Sequence, residues 1–194
     1  FVTSSNTVSA QASIGTGLGS ITNCFTLGIT KAYLTRVGEG PFPTEQNNEI
    51  GEKLGFLGKE FGTVTGRKRR CGWLDLVLLK QSVNISGLKG LALTKLDVLD
   101  SFKKIKVCTS YTYKNKKYDY LPLGVDRFNQ VKPNYIELNG WNEKTMGAKK
   151  LSDLPKNAKK YITFIEDFVG VPITMLSTSP EREDTILFKD PFGA

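Results

Sequence analysis

Between residues 155 and 169 the apolar side chains Ala158, Tyr161, Ile162, Ile165, Phe168 and Val169 recur at i, i+3, i+4, i+7 spacing. That period places them on one face of a helix. Pro155 suits its first turn, and Gly170 suits the position just past its end. The run VPITML follows directly, then STSPER, then TILFK, and these read as strand, loop and strand. Upstream, the β-branched and aromatic segment 28–37 (GITKAYLTRV) predicts a strand, and the short apolar run 90–94 (GLALT) predicts a buried one. Residues 75–84 predict a short helix with Leu76, Leu79 and Val83 on one face. Residues 105–121 predict a hairpin: IKVCTSYTY, a KNKK turn, then YDYL. SIGTGLGS at 13–20 reads as a loop or a tightly packed helix start. Residues 38–48 (GEGPFPTEQNN) read as a long loop whose two prolines restrict its backbone. Strand–helix–strand order predicts an α/β architecture. No repeat, low-complexity tract or linker divides residues 1–194, which read as one unit.

Composition narrows the chemistry. The chain of 194 residues contains no histidine. That removes the usual neutral-pH general acid/base and excludes Ser-His-Asp or Cys-His catalysis within it. Its three cysteines, Cys24, Cys71 and Cys108, are widely spaced, with no CxxC pair. A zinc site or disulfide framework is not expected, and a reducing, cytoplasmic setting fits. No apolar run approaches the roughly 20 residues that span a bilayer, so no membrane partner is expected. Residues 1–6 carry neither a basic start nor an apolar stretch of the secretory kind. The net charge of +8 fits either a phosphate- or carboxylate-bearing partner or lysine-rich solvated faces.

Two short segments carry candidate chemistry. Gly66-Arg67-Lys68-Arg69-Arg70 is the densest charge cluster. It can be a solvated loop, a nucleic-acid patch, or an anion-recognition loop for a small ligand. Planar guanidinium groups, the flanking Gly62, Gly66 and Gly72, and the hydroxyls of Thr63 and Thr65 favour the last. In Thr94-Lys95-Leu96-Asp97, a Lys-x-Asp step follows a buried strand, where ligands of α/β sheets gather. Asp97 there can accept hydrogen bonds from N1–H and the 2-amino group of guanine. The aliphatic stem of Lys95 can lie over the base with its charge in solvent. The alternative is an ordinary strand-end turn with one exposed ion pair.

Five segments in order, VTSSNT at 2–7, TRVGEGPFPTE at 35–45, GTVTGRKRRCGW at 62–73, LTKLDVLD at 93–100 and GVPITMLSTSP at 170–180, resemble the adenylosuccinate synthetase family over essentially the whole chain. The resemblance implies the C-terminal part of a large enzyme built on a mostly parallel central sheet with flanking helices and a β-hairpin. It implies GTP-dependent ligation of L-aspartate to IMP in purine nucleotide biosynthesis, giving adenylosuccinate, GDP and phosphate, in a cytoplasmic homodimer with Mg²⁺. By the same resemblance Thr63, Val64, Thr65, Gly66, Arg67, Lys68 and Arg69 form a mobile aspartate loop. Thr3, Val37 and Arg67 bind IMP. Arg69, Lys95, Leu96, Asp97, Ser177, Thr178 and Ser179 bind GTP.

Two positions depart from the family pattern. Ser179 stands where the guanine loop usually has glycine, so strain is expected if that position needs φ > 0. Val64 stands where a threonine is more frequent. The family's phosphate loop, of the form GDEGKGK, and its catalytic Asp and His have no counterpart here. The chain also begins at Phe1 rather than Met. These features give the expectation of a portion of a longer enzyme, inactive alone, with no catalytic residue and no metal ligand of its own. A non-catalytic purine-nucleotide-binding module and a basic-loop nucleic-acid-binding domain remain as alternatives.

Overall fold

The computed structural model describes residues 25–62, 66–122, 124 and 130–190. The expected loop at 13–20, together with Thr3, Cys24, Thr63, Val64 and Thr65, lies outside them. Strands β1 (Leu27–Lys31), β5 (Gly90–Thr94), β9 (Ile173–Ser177) and β10 (Thr185–Leu187) form one sheet in the order β1-β5-β9-β10. The first three are mutually parallel and β10 is antiparallel. The mostly parallel α/β sheet read from the resemblance is therefore present.

Helix α3 (Lys156–Val169) buries the stripe Ala158, Tyr161, Ile162, Ile165 and Val169, with Phe168 packed partly against the same core. Pro155 is its N-cap, one residue outside the expected first turn, and Gly170 ends it in the left-handed conformation at φ 82°. The hydroxyl of Tyr161 donates to the Ala32 carbonyl (2.6 Å), fixing the helix to the end of β1. Helix α2 (Leu76–Ser86) is capped by the Asp75 carboxylate, which accepts from the backbone N–H of Val77 and Leu78. It turns Leu76 and Val83 inward.

The expected strand 28–37 is two strands. A break at Ala32–Tyr33, both buried, separates β1 from β2 (Leu34–Arg36). Strand β2 leaves the main sheet and pairs antiparallel with β3 (Arg70–Gly72). The end of the expected basic loop is thus a strand. Strand β4 (Leu74–Asp75) follows and runs parallel to β6 (Lys104–Tyr113). The hairpin β6–β7 (Lys116–Tyr118) is present, but its turn is Lys114-Asn115 alone. Both residues have positive φ (47° and 60°), as a two-residue type I′ turn requires. The main partner of β6 is β8 (Lys132–Asn139), which pairs antiparallel from Lys104↔Asn139 to Thr112↔Lys132.

Helix α1 (Glu49–Leu57), capped by Asn48, completes the frame. Neither α1 nor β8 was expected from the sequence. Among the described residues no helix is long and apolar enough to cross a membrane.

Candidate functional site

The parallel strands end at a common edge. Register pairs Lys31 with Thr94 and Leu93 with Leu176. Lys31, the turn after β5 and the loop after β9 therefore share the carboxyl end of the sheet, where open α/β sheets bind ligands.

The turn after α1 brings Glu60 to this edge. Lys59 adopts φ 49°, and the Glu60 amide donates to the Gly55 carbonyl (2.9 Å). The Glu60 side chain is fully buried. Its carboxylate accepts from Lys31 Nζ (2.8 and 2.9 Å), Tyr33 Oη (2.6 Å), Arg69 Nη1 (3.0 Å) and Lys95 Nζ (2.9 Å). A buried carboxylate is tolerated only with such partners. Burial pushes the Glu60 pKa up, but the hydrogen bonds from Lys31, Tyr33 and Lys95 outweigh it and hold the group down at about 2. Three cations meet one carboxylate here, and all three remain partly exposed, at 24%, 32% and 35% for Lys31, Arg69 and Lys95. The surplus positive charge suits an anionic ligand. Nε of Arg69 is buried and without a hydrogen-bond partner among the described residues.

Lys95 differs from the sequence expectation. Its ammonium is held by Glu60 and by the Gly58 carbonyl (2.6 Å) rather than standing in solvent, and its backbone is left-handed at φ 59°. The side chain of Leu96 is fully buried in the core, which leaves its backbone as the part of this residue at the turn. Asp97 lies in the 3-10 turn Leu96–Leu99 and is half-buried. Burial raises its pKa, while its own backbone N–H and that of Val98 pull the other way. No side chain among the described residues hydrogen-bonds to its carboxylate.

The basic cluster is divided among separate partners. The stem of the loop is pinned by Gly62 N–H to Arg67 O (2.8 Å) and Arg69 N–H to Glu60 O (2.9 Å). Lys68 pairs with Glu52 (2.7 Å) in solvent, where the pair adds little. Arg70 grips Glu45 through Nε (2.7 Å) and Nη2 (2.5 Å) and donates to the Gly38 and Gly40 carbonyls, so it clasps the 38–45 loop. Arg67 is exposed and lines a cavity of about 340 Å³ with Gly38, Glu39, Gly40, Lys68 and Arg70. Val37, expected near ribose, is 70% exposed beside Gly38.

The flanking glycines Gly66 and Gly72 do not share one purpose. Gly66 has φ 63° with open space around its α-carbon, as a hinge position would. A Cβ on Gly72 would lie 2.3 Å from the Thr44 carbonyl oxygen, so this glycine serves the chain's own packing rather than approach to a ligand. Gly72→Ala is expected to cost roughly 1–3 kcal/mol as the backbone is forced apart; urea unfolding measures this.

In the loop after β9, Ser177 Oγ donates to the Ser179 carbonyl (2.8 Å) and Thr178 Oγ1 donates to the Ala148 or Asp184 carbonyl (3.0 and 3.1 Å). Ser179 Oγ donates to Asp184 (2.8 Å) and accepts from the Glu181 N–H (2.9 Å). Ser179 is not among the residues with positive φ, so the strain expected at this position is absent. The sequence reading missed Lys31, Tyr33 and Glu60. Tyr33 and Lys31 stand 27 and 29 residues from Glu60, and only the bend at Ala32–Tyr33 brings them to it.

Comparison with known proteins shows the family and the fold. The adenylosuccinate synthetase family model matches residues 1–186. Among solved structures, the fully ligated adenylosuccinate synthetase from Plasmodium falciparum is similar at 36% identity and a TM-score of 0.88, over 97% of this chain and 45% of that one. The chain thus spans less than half the length of that relative. With a carboxylate-anchored cluster of cations at the carboxyl edge of its parallel strands, and with the family pattern running from residue 1 to residue 186, the chain belongs to the adenylosuccinate synthetase family.

Proposed function

We propose that this chain, acting as one unit within a longer homodimeric enzyme, supplies substrate recognition for the GTP-dependent joining of L-aspartate to IMP. The observation that carries the reading is the meeting of Arg69 and Lys95 on buried Glu60, with the half-buried Asp97 carboxylate two residues beyond Lys95. Arg67 and Arg69 hold substrate carboxylates and phosphates, for which paired guanidinium N–H groups are suited. Thr63, Val64, Thr65, Gly66 and Lys68 complete the aspartate loop, and Thr3 and Val37 complete the IMP site. Asp97 accepts from the N1–H and 2-amino group of guanine, and residues 177–179 flank the nucleotide. The pairing of Lys68, Arg69 and Arg70 with Glu52, Glu60 and Glu45 weighs against a nucleic-acid patch.

Magnesium, which would accompany the GTP phosphates, finds no ligand set among the described residues: they hold no group of three or more His, Cys, Asp or Glu placed for a metal. The oxygens of Glu60 are already taken by four donor groups. In this proposal the magnesium ligands, like the acid and base of the reaction, are supplied by the rest of the enzyme. The work of this chain is to bind, orient and shield substrates.

The test is product formation in the cytoplasmic full-length enzyme and in the 194-residue chain alone, each supplied with GTP, IMP, L-aspartate and Mg²⁺. The full-length enzyme is expected to form adenylosuccinate and the chain alone none. Turnover by the isolated chain would overturn the division of labour, and inactivity of the full-length enzyme would overturn the reading itself.

A further inference from the structure

We infer that Glu60 is a positioning residue shared by two substrate sites, holding Arg69 at the base of the aspartate loop and Lys95 at the start of the guanine turn on one buried carboxylate. The inference rests on the reading above. Oε1 takes Lys31, Tyr33 and Lys95, and Oε2 takes Lys31 and Arg69. The arrangement is built rather than incidental. Tyr33 and Lys31 reach Glu60 only because the chain bends at Ala32–Tyr33, with Lys31 also donating to Thr35 Oγ1 (2.9 Å). Gly58 leaves room for it: a Cβ there would stand 2.1 Å from Tyr33 Oη, and the Gly58 carbonyl is the second acceptor of Lys95. Backbone pairing of Glu60 with Arg69 fixes the same two residues a second time.

A carboxylate with no exposed surface cannot itself touch a substrate, so its effect passes through Arg69 and Lys95. Both are long side chains with considerable rotamer freedom. Tying both to one buried anchor holds them near binding geometry before any ligand arrives, which lowers the ordering cost of binding. The sharing has a specific consequence. Loss of the Glu60 charge leaves Lys31, Arg69 and Lys95 crowded together without a counter-charge, so both sites are disturbed at once.

The experiment is steady-state kinetics of full-length Glu60→Gln, with KM measured separately for GTP, L-aspartate and IMP. Glu137→Gln, which removes the carboxylate of the exposed Lys104–Glu137 pair, serves as a charge-loss control. KM for GTP and for aspartate are each expected to rise about tenfold or more, while KM for IMP changes less than about threefold and Glu137→Gln matches wild type. A merely structural role would lower kcat or the melting temperature without separating the three KM values, and that result would overturn the inference. So would a rise confined to one of the two substrates. Should Glu60→Gln fail to fold, Glu60→Asp keeps the charge and withdraws it by one methylene. About threefold rises in the same two KM values are expected there, and unchanged values would overturn the inference. Failure of the wild-type enzyme to use GTP and aspartate at all would instead overturn the reading on which the inference stands.

Discussion

Asp97→Asn in the full-length enzyme is expected to move the nucleotide preference from GTP toward XTP. A carboxylate accepts from both N1–H and the 2-amino group of guanine, whereas an amide presents one acceptor and one donor. The donor then faces the guanine amino group but matches the 2-oxo group of xanthine. Hydrogen bonds to a charged group contribute roughly 1.5–3 kcal/mol each, and a mismatched donor adds a desolvation cost. Loss of one such bond together with the mismatched donor comes to about 3–4 kcal/mol, about a 100- to 1,000-fold fall in kcat/KM for GTP, with kcat/KM for XTP rising relative to it. The setting of Asp97 supports this role. It is half-buried, follows the carboxyl end of β5, and has no side-chain partner among the described residues. Unchanged use of GTP would make Asp97 a plain strand-end turn and would move the nucleotide site elsewhere.

How far the sequence carried this reading varies by element, and the reasons are physical. Helices α2 and α3 were legible because their apolar residues follow one helical period, and strand β5 because it is a short continuous apolar run. Helix α1 was not legible, since Gly51 and Gly55 lower its intrinsic propensity. Both glycines are buried, and a Cβ on Gly51 would stand 1.8 Å from the Gln46 carbonyl oxygen, so tertiary packing overrides propensity there. Strand β8 was hidden because Pro133 and a mixed burial pattern erase the alternation of a half-buried strand.

The candidate site was legible as segments and not as an assembly. Arg69 stands out within the basic cluster, and Lys95 and Asp97 by type and by position after a strand. Their common anchor does not, because Glu60 is one glutamate among many and its partners converge only through the fold. Arg70 looks like part of the same basic cluster, yet its geometry assigns it to Glu45 and the 38–45 loop.

The largest expected effect on stability lies away from this site, at Asp75. Its side chain is almost wholly buried, caps α2 and accepts from the Tyr111 hydroxyl. Burial pushes its pKa up from 3.8 to about 6, although the bonds from Tyr111 and the helix N–H groups oppose the rise. A folded pKa above the unfolded one means that the native state binds the proton more tightly. The resulting stability is fully present below about pH 4 and is lost as pH rises through 6, an effect of about 3 kcal/mol. Glu60 has the opposite sign: its lowered pKa favours folding above about pH 4.5, and that contribution is lost as pH falls toward 2. Asp97, whose pKa is also raised, is common to wild type and variant, so the difference between the two from pH 4.5 to 7 isolates Asp75. Asn at this position keeps the helix cap and carries no charge to desolvate, while its amide N–H can donate to the Tyr111 oxygen. Asp75→Asn is expected to match wild type near pH 4.5 and to exceed it by roughly 2–3 kcal/mol at pH 7.5. Urea unfolding of the full-length protein across that range, followed by the fluorescence of buried Trp73 two residues away, measures the difference. Asp75→Ala serves as the contrast, because it loses the cap at about 1 kcal/mol and orphans Tyr111 at every pH. Should Asp75→Asn fall below wild type by a similar amount at all pH values, the charge of Asp75 is stabilising as it stands, and the burial cost assigned to it is wrong.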